Sequence, residues 1–137
     1  MRWWPVSVAL AGCLAQAGCG FDVQAPDLFL LTRTGQGRTL TLLVNDAGTI
    51  RCDGGRTHRL SDPLLLQARD LASSLGGDAQ EKVRIPSPPN SVYRYTIRLA
   101  QGTISFPDTA AAGGKYPRLA QAEQFALQAQ PACGTSS

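Results

Sequence analysis

The chain has 137 residues, of which 43% are hydrophobic and 17% are charged. These proportions are typical of one globular domain and exclude a disordered, collagen-like or coiled-coil chain. Thirteen Lys and Arg against ten Asp and Glu leave a net charge of +3, too weak a balance to favour DNA or RNA as a partner. A mean hydropathy of −0.10 excludes a protein with several membrane spans.

The amino-terminal segment has the pattern of a secretory signal. Arg2 is its one charge before Asp22, and the apolar run after Arg2 is shorter than the ~20 residues that span a bilayer. We therefore predict that residues 1–18 are a cleaved leader. Residues 19–27 have no periodicity and are predicted to form a tether to the domain.

Two cysteines near this leader lie in sequences that resemble the lipobox of bacterial lipoproteins, whose cysteine is acylated and becomes the new N-terminus. Leu10-Ala11-Gly12-Cys13 has the usual aliphatic residue three positions before its cysteine, whereas Gln16-Ala17-Gly18-Cys19 has glutamine there. Cleavage before Cys13 would leave a signal of only twelve residues, whereas cleavage before Cys19 leaves eighteen. We predict lipidation of Cys19, with Cys13 as the alternative and an unlipidated, secreted product as a third outcome.

The two remaining cysteines are predicted to form a disulfide. If Cys19 is lipidated, Cys13 leaves with the signal, and Cys52 and Cys133 pair with no thiol left over. Export places them in an oxidising compartment, where a disulfide persists. Closing a loop of about 80 residues should stabilise the fold by roughly 3 to 5 kcal/mol.

Strand and turn patterns dominate the first part of the predicted domain, which extends over residues 28–133. Residues 28–34 and 38–44 predict two strands joined by the tight turn Gly35-Gln36-Gly37. Residues 49–52 predict a third, short strand after a further turn.

A helix is predicted from its N-cap Ser61 to about Leu75, where Gly76 and Gly77 should end it. Its apolar residues recur at helical spacing, so one face is suited to packing on a sheet. Residues 78–91 contain three prolines and predict a long extended loop.

The second half of the domain repeats the order of hairpin and helix. Residues 93–99 alternate between apolar and polar side chains, and residues 103–106 predict the partner strand. Leu119, Ala122 and Phe125 mark a last amphipathic helix that Pro131 ends. We predict an α+β fold: an antiparallel sheet of four to five strands in hairpin-helix-hairpin-helix order, with two helices on one face and a flexible tail at residues 134–137.

No catalytic residue, metal or cofactor is predicted. His58 is the only histidine, and with Cys52, Asp53, Ser61 and Asp62 nearby in sequence it could form a Ser/His/Asp or Cys/His set. Their spacing supports neither set, because Ser61 fits a helix cap, Cys52 a disulfide and Asp53 a turn. The sequence also has no G-x-S-x-G, H-E-x-x-H or C-x-x-C motif and no set of zinc ligands.

The candidate binding residues are arginines. Arg33, Arg38, Arg94 and Arg98, together with Arg51, fall on predicted strands or at their ends. If several share the exposed sheet face, they form a basic patch suited to an anionic partner. The alternative is that they only solvate the sheet and discourage edge pairing. The loop at residues 85–90 is a second candidate for recognition, although its prolines equally suit a structural role.

The lipobox-like start followed by one small domain resembles the uncharacterised lipoproteins of high-GC, actinobacterial bacteria, a resemblance that implies a location and no activity. The order of elements is also similar to that of emfourin-type metalloprotease inhibitors. The features that carry this similarity are Arg33-Thr34-Gly35, the helix after Ser61, Tyr93-Arg94-Tyr95-Thr96-Ile97, Gly102, Asp108 and the helix after Pro117. Emfourins generally lack the cysteine pair and the anchor, so the resemblance concerns the fold.

These observations predict a lipid-anchored binding module on the extracytoplasmic face of the cell membrane. Its partner is expected to be an envelope protein or an anionic ligand, and not a nucleic acid. A protease inhibitor of emfourin-like fold is the alternative, and a small envelope hydrolase is the second alternative.

Overall fold

The computed structural model describes residue 23, residues 25–112 and residues 114–134. Both candidate lipidation sites, Cys13 and Cys19, lie outside the described residues, as do the predicted leader, part of the predicted tether and the end of the predicted tail. In chain order the elements are β1 (Asp27–Gly35), β2 (Arg38–Asn45), β3 (Thr49–Cys52), β4 (Thr57–Arg59), α1 (Asp62–Gln80), β5 (Arg94–Leu99), β6 (Gly102–Pro107), α2 (Asp108–Ala112), α3 (Pro117–Ala129) and a 3₁₀ turn (Gln130–Cys133).

The six strands form one antiparallel sheet in the order β4-β3-β2-β1-β5-β6. The strand β1 lies at its centre, where it pairs with β2 on one side and with β5 on the other. Because alternate residues of a strand point to opposite faces, Phe29 and Leu31 share one face with Ile97 of β5, and α1 and α3 pack against that face. The predicted α+β class with an antiparallel sheet is confirmed.

The predicted number of four to five strands is wrong, since the sheet has six. The missed strand is β4, in which Thr57, His58 and Arg59 pair with residues of β3. Three residues are too few to show an alternating pattern, so β4 is defined by its partner strand rather than by its own sequence. The short helix α2, which follows β6 directly, was also not predicted.

The first helix is longer than predicted. Ser61 occupies the expected N-cap position with an extended backbone, although its side chain makes no capping hydrogen bond. The helix then continues through Gly76 and Gly77 to Gln80. Two helical glycines cost about 1 kcal/mol each, but the added turn buries Ala79 completely. A Cβ at Gly102 would collide with the carbonyl oxygen of Ala79, so glycine permits this close contact between α1 and the β5–β6 turn.

The core lies between the sheet and the two long helices. Phe29 of β1 and Phe125 of α3 meet edge to face with ring centroids 5.4 Å apart, a favourable aromatic geometry. The predicted disulfide between Cys52 and Cys133 is confirmed, with Cα atoms 5.7 Å apart. It ties the 3₁₀ turn to β3 and thereby fixes the end of the helical layer to the sheet.

Candidate functional site

The sheet face opposite the helices, here called the open face, is formed by the alternate residues of all six strands. The register of the strands arranges these residues in rows that cross the sheet. One row consists of Thr57, Arg51, Leu43, Leu30, Arg98 and Thr103. The next consists of Thr41, Thr32, Thr96 and Ser105. The open face therefore presents mainly hydroxyl groups, with arginines and a few leucines among them.

Five arginines lie in the register of the open face. They are Arg51 on β3, Arg59 on β4, Arg94 and Arg98 on β5, and Arg84, which is bridged to Ser105 of β6. Two aspartates lie at the ends of its strands, and both accept hydrogen bonds. Asp27 accepts one from the Asn45 amide at 3.0 Å, and Asp53 accepts one from the Thr41 backbone N–H at 2.8 Å.

The positive charge of the domain is concentrated on this face. Of the thirteen basic and ten acidic side chains, Arg2 and Asp22 lie outside the described residues. Away from the open face, seven basic side chains meet seven acidic ones, whereas on the open face five arginines meet two aspartates. In formal charges, the excess of +3 among the described residues thus lies on the open face, and the other described side chains sum to zero.

The structure separates the four arginines that were predicted to bind. Arg94 and Arg98 lie on the open face, each two positions from Thr96, and they pair with Thr34 and Leu30 of β1. Arg33, in contrast, pairs with Tyr95 and points to the helix side. There its guanidinium lies 5.0 Å from the centre of the Tyr93 ring.

Arg38 also follows the register of the helix side, at the exposed start of β2. The four arginines therefore do not form a single patch. Arg51 and Arg59 instead join Arg94 and Arg98 on the open face. The signal for Arg51 was its position on a predicted strand, whereas Arg59 was missed together with β4.

Arg94 anchors the proline-rich loop that was predicted as a second recognition element. Its Nη1 donates to the carbonyl of Ile85 at 3.0 Å and to Oγ of Ser87 at 2.7 Å. The start of this loop is also paired with β6, because the N–H of Ile85 donates to the carbonyl of Ser105 at 2.9 Å. Arg94 therefore has a structural role in addition to its place on the open face.

A broad depression of about 480 Å³ lies on the open face. Its lining combines hydroxyl groups, one guanidinium and one carboxylate with apolar surface. The lining residues are Leu30, Thr32, Thr39, Thr41, Asp53, Gly54 and Arg98. A small-molecule site is normally an enclosed cleft, so this open depression is better suited to contact with an extended surface.

A second cluster of polar side chains lies on the helix side of the sheet, where the sequence had predicted none. Glu123 of α3 has a buried Oε1 with no hydrogen-bond partner in the described part of the chain. Burial, and then the charge of Asp108, raise the pKa of Glu123 to about 7. Burial and then Glu123 raise the pKa of Tyr95, which the nearby Arg33 opposes. The signal was available, since Glu123 stands four residues after Leu119 on the apolar stripe of α3.

Asp108 faces this polar group from the start of α2. Burial alone would raise the pKa of Asp108, but hydrogen bonds to its carboxylate hold this pKa below its usual value. The hydroxyl of Ser91 donates to its Oδ1 at 2.8 Å, and the N–H of Val92 donates to its Oδ2 at 3.2 Å. A charged Asp108 beside Glu123 makes the two carboxyl groups an acid pair, in which Asp108 keeps its charge and Glu123 holds its proton more tightly than usual.

Cys52 and His58, which are close in sequence, have different surroundings in the structure. Cys52 is in the disulfide, and His58 is half-buried on the helix side of β4. Among residues 25–112 and 114–134, His58 makes no hydrogen bond to Asp53, Ser61 or Asp62, and no three His, Cys, Asp or Glu side chains are grouped closely enough to hold a metal ion. The described helices include none with the length and apolarity to cross a bilayer.

Comparison of the chain with protein-family models, with curated proteins and with solved structures finds no match in any of the three.

Proposed function

We propose that this protein is a lipid-anchored binding module on the extracytoplasmic face of the bacterial cell membrane, and that its open face contacts an anionic partner in the envelope. The observation that carries the binding role is the charge distribution, since the open face holds the whole positive excess of the described residues. The proposal assigns no catalytic step to the protein.

Two features support the location. The sequence around Cys19 resembles a lipobox at the end of a leader of suitable length. The disulfide between Cys52 and Cys133 is of the kind that persists in oxidising compartments. An exported chain that carries acyl chains on its first residue remains at the outer surface of the membrane.

The chemistry of the open face supports an anionic partner. Guanidinium groups pair with phosphate and carboxylate groups through two parallel hydrogen bonds, and threonine hydroxyls both donate and accept. A face of one charge sign also accelerates the encounter with a partner of the opposite sign. Arg51 and Arg59 carry this role best, because Arg94 is engaged by Ile85 and Ser87.

The anchor is tested by the intact mass of the chain in the membrane fraction. We expect a mature chain that begins at Cys19 and carries acyl chains, and a Cys19→Ala variant that lacks both the cleavage and the added mass. A Cys13→Ala variant is the matched control and should be processed normally. An uncleaved protein in the cytosol, with Cys52 and Cys133 reduced, would contradict the proposed location.

The binding role is tested with the full chain held in neutral-lipid nanodiscs and mixed with isolated cell envelopes. We expect the Arg51→Glu/Arg59→Glu variant to lose most of the envelope-bound fraction at low salt while keeping its unfolding temperature. An Arg56→Glu/Lys82→Glu variant changes the net charge equally, at two exposed positions outside the strands, and should bind normally. Equal losses in both variants would show that total charge, and not the open face, controls binding.

A further inference from the structure

Three of the five open-face arginines, Arg51, Arg59 and Arg98, lie in the two rows nearest the end of the sheet at which β1 begins. Asp27 begins β1, and Asn45, Thr49 and Arg59 follow it across one row of the register. The row of Arg51 and Leu30 lies three residues further along β1, about 10 Å from the tether at ~3.3 Å per residue. Arg51 and Arg59 therefore lie toward this end of the sheet, two and three strands to the side of β1.

The tether limits how far this end of the sheet can move from the anchor. Asp27 lies eight positions after Cys19, and even a fully extended chain over eight positions reaches only about 28 Å. The tether therefore keeps the domain near the bilayer, so the open face meets lipid headgroups at a high effective concentration. This step rests on the proposed lipid anchor.

The shape and composition of the open face fit a broad layer of headgroups. Six strands spaced ~4.8 Å apart give a face about 24 Å wide, and its depression is open to solvent. The described aromatic side chains pack on the other side of the sheet or in the helical layer, as Phe29, Tyr95, Phe106 and Phe125 do. The open face thus offers arginines and hydroxyls without a stacking platform or an enclosed pocket.

We propose that the open face lies flat on the anionic phospholipid surface to which the chain is anchored, with Arg51 and Arg59 against lipid phosphates. Clustered basic residues near an anionic leaflet are attracted to it within a Debye length of the surface. The opposite orientation gains no such attraction, because the formal charges of the helical layer, with Asp62, Arg69 and Asp70 on α1, leave no positive excess. The anionic lipid is therefore the partner of the binding module, and the helical layer faces away from the membrane.

The orientation is measured by energy transfer from a single tryptophan to dansyl-labelled lipid headgroups. The only native tryptophans, Trp3 and Trp4, belong to the predicted leader and are replaced by phenylalanine. One reporter is Thr39→Trp, at an exposed position of the open face far from the tether, and the matched reporter is Leu127→Trp on α3, where leucine is 61% exposed. The full lipidated chain is reconstituted in vesicles of phosphatidylcholine alone or with about one third phosphatidylglycerol.

We expect transfer from the Thr39→Trp reporter to exceed that from Leu127→Trp several-fold in anionic vesicles. The excess should disappear in 0.5 M salt, in neutral vesicles and in the Arg51→Glu/Arg59→Glu variant, but persist in the Arg56→Glu/Lys82→Glu control. Equal energy transfer from both reporters, or energy transfer that does not depend on anionic lipid, would overturn the proposal.

The failure of this orientation is distinguishable from the failure of the proposed function. Co-sedimentation with neutral vesicles reports the anchor alone, so its loss would contradict the lipoprotein assignment. If the anchor holds and the reporters are equivalent, while Arg51→Glu/Arg59→Glu still reduces binding to isolated envelopes, the partner of the open face is an envelope protein or an anionic wall polymer instead of lipid.

Discussion

On the helix-covered face of the sheet, Phe29, Leu31 and Ile97 are completely buried, whereas neighbouring positions of the same strands place Thr32, Thr96 and other polar side chains on the open face. Both faces share the same backbone hydrogen bonds, so those bonds do not distinguish them. The difference is that removal of apolar surface from water stabilises the fold mainly through the covered face, whereas at the open-face positions of β1 only Leu30 is buried. The other face can therefore change its side chains and charge at little cost in stability, which makes it the suitable place for binding.

The largest effect is expected at the disulfide, which closes the covered side. Replacing Cys52 and Cys133 by alanine releases a loop with a sequence separation of 81 residues and should lower the free energy of unfolding by about 4 kcal/mol. Chemical denaturation measures the change. Reduction of the unmodified protein should give the same loss, and a loss below ~1 kcal/mol in both cases would show that the helical layer holds the covered face without the bridge.

The contrast between the faces predicts unequal costs for adjacent residues of β1. Leu31→Ala removes a fully buried side chain and should destabilise the protein by about 3 kcal/mol, through lost burial and the cavity that remains. Thr32→Ala, one position along on the open face, should change stability by less than about 1 kcal/mol. Denaturant titrations of both variants test the pair, and equal costs would mean that the open face is also covered in solution.

Glu123 is the exception on the covered side, and its protonation should make stability depend on pH. Because burial and Asp108 raise the pKa of Glu123 to about 7, the protonated acid is fully compatible with the fold below pH ~4.5, and stability is lost as pH rises through 7. After allowance for partial exposure, Glu123→Gln should increase stability at pH 8 by about 1 to 2 kcal/mol.

The chain's other glutamate provides the control for this experiment. Glu81 is exposed after the end of α1, so Glu81→Gln should leave the pH dependence of the unfolding temperature unchanged. A slope between pH 5 and pH 8 that survives in Glu123→Gln would assign it to another group.

The smallest effects are expected among the arginines of the open face, and they should differ from one another. Arg94→Ala frees the carbonyl of Ile85 and the hydroxyl of Ser87 and should cost about 1 kcal/mol. Arg51→Ala should cost less than about 0.5 kcal/mol, since its one hydrogen bond, to Thr57, is long at 3.5 Å. Thermal unfolding of both variants measures the two losses of stability, and equal losses would show that Arg94 does not hold the loop.

Sequence patterns were sufficient where a signal is local. The alternation of residues 93–99 predicted β5 almost to its observed bounds, and residues 49–52 predicted β3 residue for residue. Cysteine parity predicted the pairing of Cys52 with Cys133, because an exported chain with two remaining thiols has one way to pair them.

Patterns failed where the deciding contact is distant in sequence. Gly76 and Gly77 are local signals for the end of a helix, but α1 continues because Ala79 packs against the β5–β6 turn. The strand β4 exists through its pairing with β3. Arg33 was grouped with Arg94, although the register between β1 and β5 places them on opposite faces, and a shift of one residue would have reversed that assignment.

The amino-acid sequence by itself determined that this chain forms an α+β domain with an antiparallel sheet and one disulfide, because alternation, helical periodicity and cysteine number are properties of short segments or of composition. Only the tertiary structure decided which arginines share a face, how the positive charge is distributed and that Asp108 lies beside Glu123. Strand register and helix packing set those features, and both depend on contacts between residues far apart in the chain.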